Sequence, residues 1–115
     1  MFLPVGALLQ ADRYRIDSVL GQGGFAITYH ARDLPLDRVV AIKELFPAGL
    51  VARYGTSVHP LHRPDDFTAL RKRFRDEGRT LAMFDDVGIV RVLTTFEENG
   101  TAYIVSASTR RVDRC

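Results

Sequence analysis

Two stretches carry the residue types that could do chemistry. The first is Leu20-Gly21-Gln22-Gly23-Gly24-Phe25-Ala26-Ile27-Thr28-Tyr29, and the second, further along, is Val40-Ala41-Ile42-Lys43. Three glycines within four positions give a backbone that can turn sharply and lie close against a ligand, since no Cβ intervenes. Successive amide N–H groups in such a turn make a concavity suited to phosphate oxygens. A lysine on a neighbouring strand adds a point charge for the same oxygens. The pairing points to a nucleotide site.

Three glycine-rich phosphate motifs compete for this reading. A Walker loop needs Gly-x-x-x-x-Gly-Lys-Ser/Thr, and no lysine follows these glycines closely enough. A dinucleotide fingerprint, Gly-x-Gly-x-x-Gly/Ala, is satisfied by Gly21, Gly23 and Ala26, but it must open a helix. Phe25-Ala26-Ile27-Thr28-Tyr29-His30 is aromatic and β-branched and reads as a strand. Strand, glycine turn, strand, then Val-Ala-Ile-Lys is the arrangement found in protein kinases. The glycines alone leave the choice open; the lysine strand decides it.

These residues need a scaffold, and the chain supplies enough material for one. With 115 residues, 46% hydrophobic and 26% charged, it suits one globular domain. A chain of this size buries about 60–70% of its unfolded surface. A formal charge of +2 is too small to imply nucleic acid, and the clusters Arg71-Lys72-Arg73 and Arg110-Arg111 read as solvated surface. Cys115 is the only cysteine, which excludes an intramolecular disulfide and suggests a reducing, cytoplasmic compartment. No apolar run approaches the ~18 residues of a membrane span. Residues 1–13 are apolar at first but lack a basic start, so they read as a lead-in that packs against the first strand or simply leads into it.

Strands are expected over Tyr14 to Leu20 and Phe25 to Arg32, a hairpin with the glycines at its tip. Asp33-Leu34-Pro35-Leu36-Asp37 is a connection, and Arg38 to Leu45 a third strand. Alternation puts Val39, Ala41 and Lys43 on one face and Val40, Ile42 and Glu44 on the other. Lys43 among small apolar residues either meets an anion or runs its stem over the sheet to water. The stretch 46–65, with its prolines and glycines, reads as a long loop with one short strand near Ser57-Val58. His30, His59 and His62 lack companions for a metal site and read as structural or surface groups.

Asp65 or Asp66 is expected to cap a helix beginning near Phe67. Phe67, Leu70, Phe74, Leu81 and Phe84 recur at helical spacing as its buried stripe, and Glu77 falls on that stripe. Two partners offer themselves to this carboxylate: Lys43 across the fold, or an arginine on its own helix. Gly78 costs the helix about 1 kcal/mol relative to alanine. Ile89 to Glu97 and Thr101 to Ser106 are strands joined through Asn99-Gly100, a strong hairpin signal. Beyond Ser106 periodicity ends, and residues 107–115 read as a disordered tail.

Taken together, residues 14–106 resemble the amino-terminal lobe of bacterial Hanks-type serine/threonine protein kinases. The resemblance rests on the glycine stretch, on Val-Ala-Ile-Lys-Glu with Phe46-Pro47 soon after, and on Arg73-Phe74-Arg75-Asp76-Glu77. It continues through Ile89-Val90-Arg91-Val92 to Phe96 and on to Val105. It implies an α+β fold, a five-stranded antiparallel sheet with one main helix. It also implies that Gly21, Gln22, Gly23, Gly24, Phe25 and Ala26 cover the phosphates of ATP. Leu20, Thr28 and Ala41 would touch adenine, Ser106 would stand at the back of its pocket, and Ala107 would begin the hinge. Lys43 would contact the α- and β-phosphates, held by Glu77, in the ion pair that active kinases require.

The sequence departs from the family at several points. Ala26 replaces a third glycine, Asp86-Val87-Gly88 stands where His-Pro-Asn is usual, and the hinge does not match. The carboxy-terminal lobe, with its His-Arg-Asp and Asp-Phe-Gly motifs, has no counterpart in these residues. The expectation is thus a truncated kinase domain, inactive alone, that binds ATP weakly and needs Mg²⁺ only when a carboxy-terminal lobe is supplied. The alternative is a binding module that docks on a kinase carboxy-terminal lobe or an intact kinase and regulates it.

Overall fold

The computed structural model describes residues 1–83 and 91–108. The strands are β1 (Leu8–Leu9), β2 (Tyr14–Gln22), β3 (Ala26–Asp33), β4 (Arg38–Leu45), β5 (Val51–Tyr54) and β6 (Ser57–Pro60), followed after the helix by β7 (Val92–Glu98) and β8 (Thr101–Ala107). The helix, α1, spans Pro64–Ala82. Six strands form one antiparallel sheet in the order β1-β2-β3-β4-β8-β7, and β5 pairs with β6 separately. The five expected strands are therefore joined by a sixth from the lead-in. Leu8 and Leu9 pair with Arg15 and Tyr14, and Leu3 and Leu9 are buried in the core. Phe84, the Asp86-Val87-Gly88 turn, Ile89, Val90 and the tail from Thr109 onward lie outside the described residues.

The sheet curls until its two ends meet. Tyr14 of β2 stacks on Phe96 of β7, ring centroids 6.1 Å apart, and Phe96 stacks in turn on Tyr103 of β8 at 5.0 Å. The Gln10 amide donates to Glu98 on the same far strand. Strand β3 shows why one face closes: Ile27, Tyr29, Ala31 and Asp33 are buried, and the residues between them are not. Val40 and Ile42 of β4 join this inner face, as the alternation required.

Glu44 belongs to that inner face and is fully buried. Its carboxylate accepts hydrogen bonds from the Tyr29 hydroxyl at 2.9 Å and the Tyr103 hydroxyl at 2.7 Å. It also pairs with Arg53, whose side chain is 4% exposed. The network extends outward. The Leu3 amide donates to Tyr29 at 3.0 Å, Asn99 donates to Tyr103 at 2.9 Å, and Arg53 donates to the Met1 carbonyl. A second buried carboxylate, Asp33, closes the β3–β4 turn with Arg13 at 3.1 Å and Arg38 at 3.6 Å. Burial opposes its charge, but the Arg13 hydrogen bond, the Leu36 amide and Arg38 outweigh that and hold its carboxyl below the usual range.

Stretch 46–65 is more ordered than its prolines and glycines suggested. It folds as the β5–β6 hairpin, because Val51 and Val58 are buried and the Val58 amide donates to the Asn99 carbonyl at 2.7 Å. The Asn99-Gly100 turn forms as expected, with φ of 56° and 78°. At Gly100 a Cβ would stand 2.5 Å from the Val58 carbonyl oxygen, so the hairpin and the turn are built to touch.

Helix α1 starts earlier than expected, and neither aspartate caps it. Arg63, in the left-handed region, is the cap residue without a side-chain hydrogen bond, and Pro64 opens the first turn. Asp65 and Asp66 instead lie inside that turn, where they complement the helix dipole. The stripe runs through Phe67, Leu70 and Phe74 to Gly78; Leu81 is 50% exposed and Glu77 is exposed. A Cβ on Gly78 would meet Thr95 Cγ2 at 2.7 Å and Ile104 Cγ1 at 2.9 Å. The helix therefore lies directly on β7 and β8 at this point, and the glycine that weakens it in isolation allows it to dock.

Two outcomes follow for stability. Gly78→Ala should destabilise the chain by about 1–2 kcal/mol in urea titration, since overpacking against stiff β-branched neighbours exceeds the helix-propensity gain of about 1 kcal/mol. A gain in stability would show that α1 is not seated on Thr95. Burial, reinforced by the Glu44 charge, pushes the Tyr29 and Tyr103 phenols well up. A group whose folded pKa is raised contributes fully below its unfolded value, about 10 for tyrosine, and its contribution fades above it. The advantage of the wild type over the Tyr29→Phe/Tyr103→Phe variant should thus hold steady from about pH 7 to about pH 9 and shrink above about pH 10. An advantage undiminished at about pH 11 would contradict the network.

Candidate functional site

The register of the sheet gathers most of the expected residues onto the face opposite the core. Gly21 pairs with Thr28, Thr28 with Lys43, and Lys43 with Ile104, so these residues form one row across four strands. Two positions along β4, on the same face, His30, Ala41 and Ser106 form the next row. Leu20 sits in an irregularity of β2 between Val19 and Gly21 and is 49% exposed. Ala107 pairs with Val40 and so belongs to the inner-face register, apart from Ala41 and Ser106.

Gln22 pairs with Ile27, and the turn that follows is closed by the Gly23 amide on the Ala26 carbonyl at 2.8 Å. The Gly24 and Phe25 carbonyls accept from the amides of Ala48, at 3.1 Å, and Phe46, at 2.8 Å. The turn is thus tied to the exit of β4, while the Phe25 side chain is 64% exposed. The three glycines behave unlike Gly78 and Gly100. None takes a positive φ; a Cβ would meet nothing within 4 Å at Gly21 or Gly24, and at Gly23 only the Ala26 carbonyl at 4.0 Å. Neither backbone geometry nor packing within the chain demands glycine there.

Beside this turn, between β4 and α1, lies a cavity of about 550 Å³. Its walls are Phe25, Ala26, Leu45, Leu70 and Phe74, and Lys43, Arg73 and Glu77 bring charge to it. Of the two partners open to Glu77, then, the fold brings both to one space. Neither forms an ion pair with it within 4.0 Å among the described residues, and Lys43 is exposed. Arg73 is exposed, as its reading with Arg71 and Lys72 as solvated surface expected, but it also borders this cavity, a place assigned from the sequence only to an unspecified arginine on the helix of Glu77. It precedes Glu77 by four positions and so shares its face of the helix, which is the signal that would have found it. Arg71 and Arg75, in contrast, turn to Glu97 on β7.

A curled antiparallel sheet with a glycine turn over a strand lysine, and one helix bringing a glutamate to the same space, is the architecture of a protein-kinase amino-terminal lobe. No protein-family model matches the chain. It is, however, 36% identical over 104 residues to the serine/threonine-protein kinase PksC of Streptomyces coelicolor, covering 87% of this chain and 16% of that protein. With the serine/threonine-protein kinase PrkC of Bacillus subtilis it shares 34% identity over 95 residues, 83% of this chain and 12% of that one. Among solved structures it matches the PpkA-294 apo form with a TM-score of 0.86 and 36% identity, over 93% of this chain and 38% of that one. The chain belongs with the bacterial serine/threonine protein kinases, of which it is a partial kinase domain. It spans less than a fifth of the length of these curated relatives.

Because the fold makes no demand for glycine in the turn, Gly23→Ala should leave unfolding stability unchanged or raise it by up to about 1 kcal/mol through a stiffer unfolded chain. Urea titration checks this, and a loss beyond about 1 kcal/mol would show that the turn needs the glycine for its own folding.

Proposed function

We propose that this chain is the ATP-binding half of a protein kinase that phosphorylates Ser or Thr. The observation that carries the reading is the contrast among the glycines. Gly21, Gly23 and Gly24 are free of any structural requirement, and Gly21 shares a row, through Thr28, with Lys43, an exposed lysine without an ion pair among the described residues. A backbone without Cβ atoms that a ligand can approach closely, with an uncompensated cation on the same sheet face, suits phosphate oxygens. In this reading Gly21 to Ala26 cover the phosphates, and Lys43 contacts the α- and β-phosphates and is steadied by Glu77. Leu20, Thr28, Ala41 and Ser106 border the adenine, with the Ala107 backbone at its edge.

The described residues include no group of three or more His, Cys, Asp or Glu able to hold a metal ion. Kinases use Mg²⁺ to neutralise phosphate charge, and in this reading it would act here together with a carboxy-terminal lobe. The chain's own part is to bind and orient the nucleotide, and on its own it should bind ATP without turning it over. A second role, regulation by docking on a kinase carboxy-terminal lobe or an intact kinase, is favoured by the exposed Val19, Leu20, Phe25, Leu81 and Met83. Among the described residues no helix is long and apolar enough to cross a membrane.

Titration of the chain with a fluorescent ATP analogue should give saturable binding that weakens about tenfold on Lys43→Met, the loss of one charge-assisted contact. Gly23→Ala should weaken it too while keeping the fold. Equal affinity for wild type and Lys43→Met would overturn the reading.

A further inference from the structure

The cavity between β4 and α1 is only partly the nucleotide's. Of the residues placed around ATP, it shares only Phe25, Ala26, Lys43 and Glu77; its remaining walls, Leu45, Leu70 and Phe74, are apolar and come from β4 and the helix. At about 550 Å³ it falls within the usual range for small-molecule sites. Its charges are the unusual part. On β4 and α1 most cations are paired: Arg38 with Asp33, Lys72 with Asp76, and Arg71 and Arg75 with Glu97. The two that reach this cavity, Lys43 and Arg73, have no hydrogen bond or ion pair among the described residues. Against the single carboxylate of Glu77, the rim carries a net positive charge.

From this we infer a second binding site, which takes a small amphipathic anion. An apolar body would lie against Leu45, Leu70 and Phe74, and one anionic group would be held between Arg73 and Lys43. Apolar walls with a few convergent polar groups are what fix a ligand's position and orientation. A guanidinium is well suited to a carboxylate, phosphate or sulfonate because it presents its donors in a planar fork. The site shares Lys43 with the nucleotide reading and rests on it to that extent, while Arg73 and the apolar walls belong to it alone. Lys43 links the two, so an anion here would compete with Glu77 for the lysine.

Fluorescence titration of the full chain with the aryl sulfonate 1-anilinonaphthalene-8-sulfonate tests the inference. One molecule should bind per chain, and Arg73→Gln should weaken binding about tenfold. Arg79→Gln, which alters another unpaired cation of α1 outside the cavity, should leave it unchanged. Inorganic phosphate, with the charge but no apolar body, should bind far more weakly. Binding that is indifferent to Arg73, that falls equally with Arg79→Gln, or that exceeds one molecule per chain would overturn the site. Urea titration of both variants ensures that the comparison is between folded proteins. The nucleotide reading stands or falls separately, on the response of ATP binding to Lys43→Met.

Discussion

The carboxylate of Glu44 is the point on which the rest of the lobe depends. It sits on the strand that carries Lys43, fully buried, and accepts hydrogen bonds from β3 and β8 and an ion pair from β5. Through Tyr29 it reaches the Leu3 amide, and through Arg53 the Met1 carbonyl, so the amino-terminal segment and the β5–β6 hairpin are fastened to the same group. A buried charge is costly unless its partners are present together, and losing one partner of such a pair costs about 3–5 kcal/mol. The network therefore favours a single arrangement of four strands and a lead-in. Because side chains alternate along β4, holding Glu44 inside also holds Lys43 outside, towards the cavity.

The glycines divide by the kind of constraint they answer. Gly78 and Gly100 are required by contact: a side chain at either would run into Thr95 and Ile104 or into the Val58 backbone. Gly21, Gly23 and Gly24 face open space. A residue type that costs conformational entropy and is not needed for packing calls for an explanation outside the fold. A close-lying ligand is one, and the exposed amine of Lys43 beside it says what charge that ligand would carry.

How α1 docks sets the shape of the cavity. Gly78 lets the helix rest on β7 and β8, and Arg71 and Arg75 tie its outer side to Glu97. Leu70 and Phe74 pack against the core and, with Arg73 and Glu77, also line the cavity beside β4. Lys43 and Glu77 thus face one volume without closing on each other.

Much of this was legible in the sequence because it is local. The glycine turn, the strand that follows it, the Asn99-Gly100 hairpin and the alternation of β4 follow from backbone preferences and a period of two, which any isolated segment displays. The sequence also set Lys43 and Glu77 towards each other, and the fold brings both to one cavity, although each is exposed rather than inward-facing. What it could not show depends on distant partners. The β5–β6 hairpin looked like a loop because its order comes from burying Val51 and Val58 and from the Asn99 carbonyl, not from its own composition. Alternation set Glu44 on the face opposite Lys43, but that this face is the core, and that Tyr29, Tyr103 and Arg53 surround the carboxylate there, depends on other strands. The helix stripe was drawn through Leu81, although Gly78 is what the sheet receives, because periodicity ranks a glycine as no contact at all. Arg73 was read as solvated surface and is exposed; that it also borders the cavity with Glu77 and Lys43 follows only from the docked orientation of α1. Local chemistry determined the elements; which faces meet, and therefore which charges are left unpaired, was decided by packing.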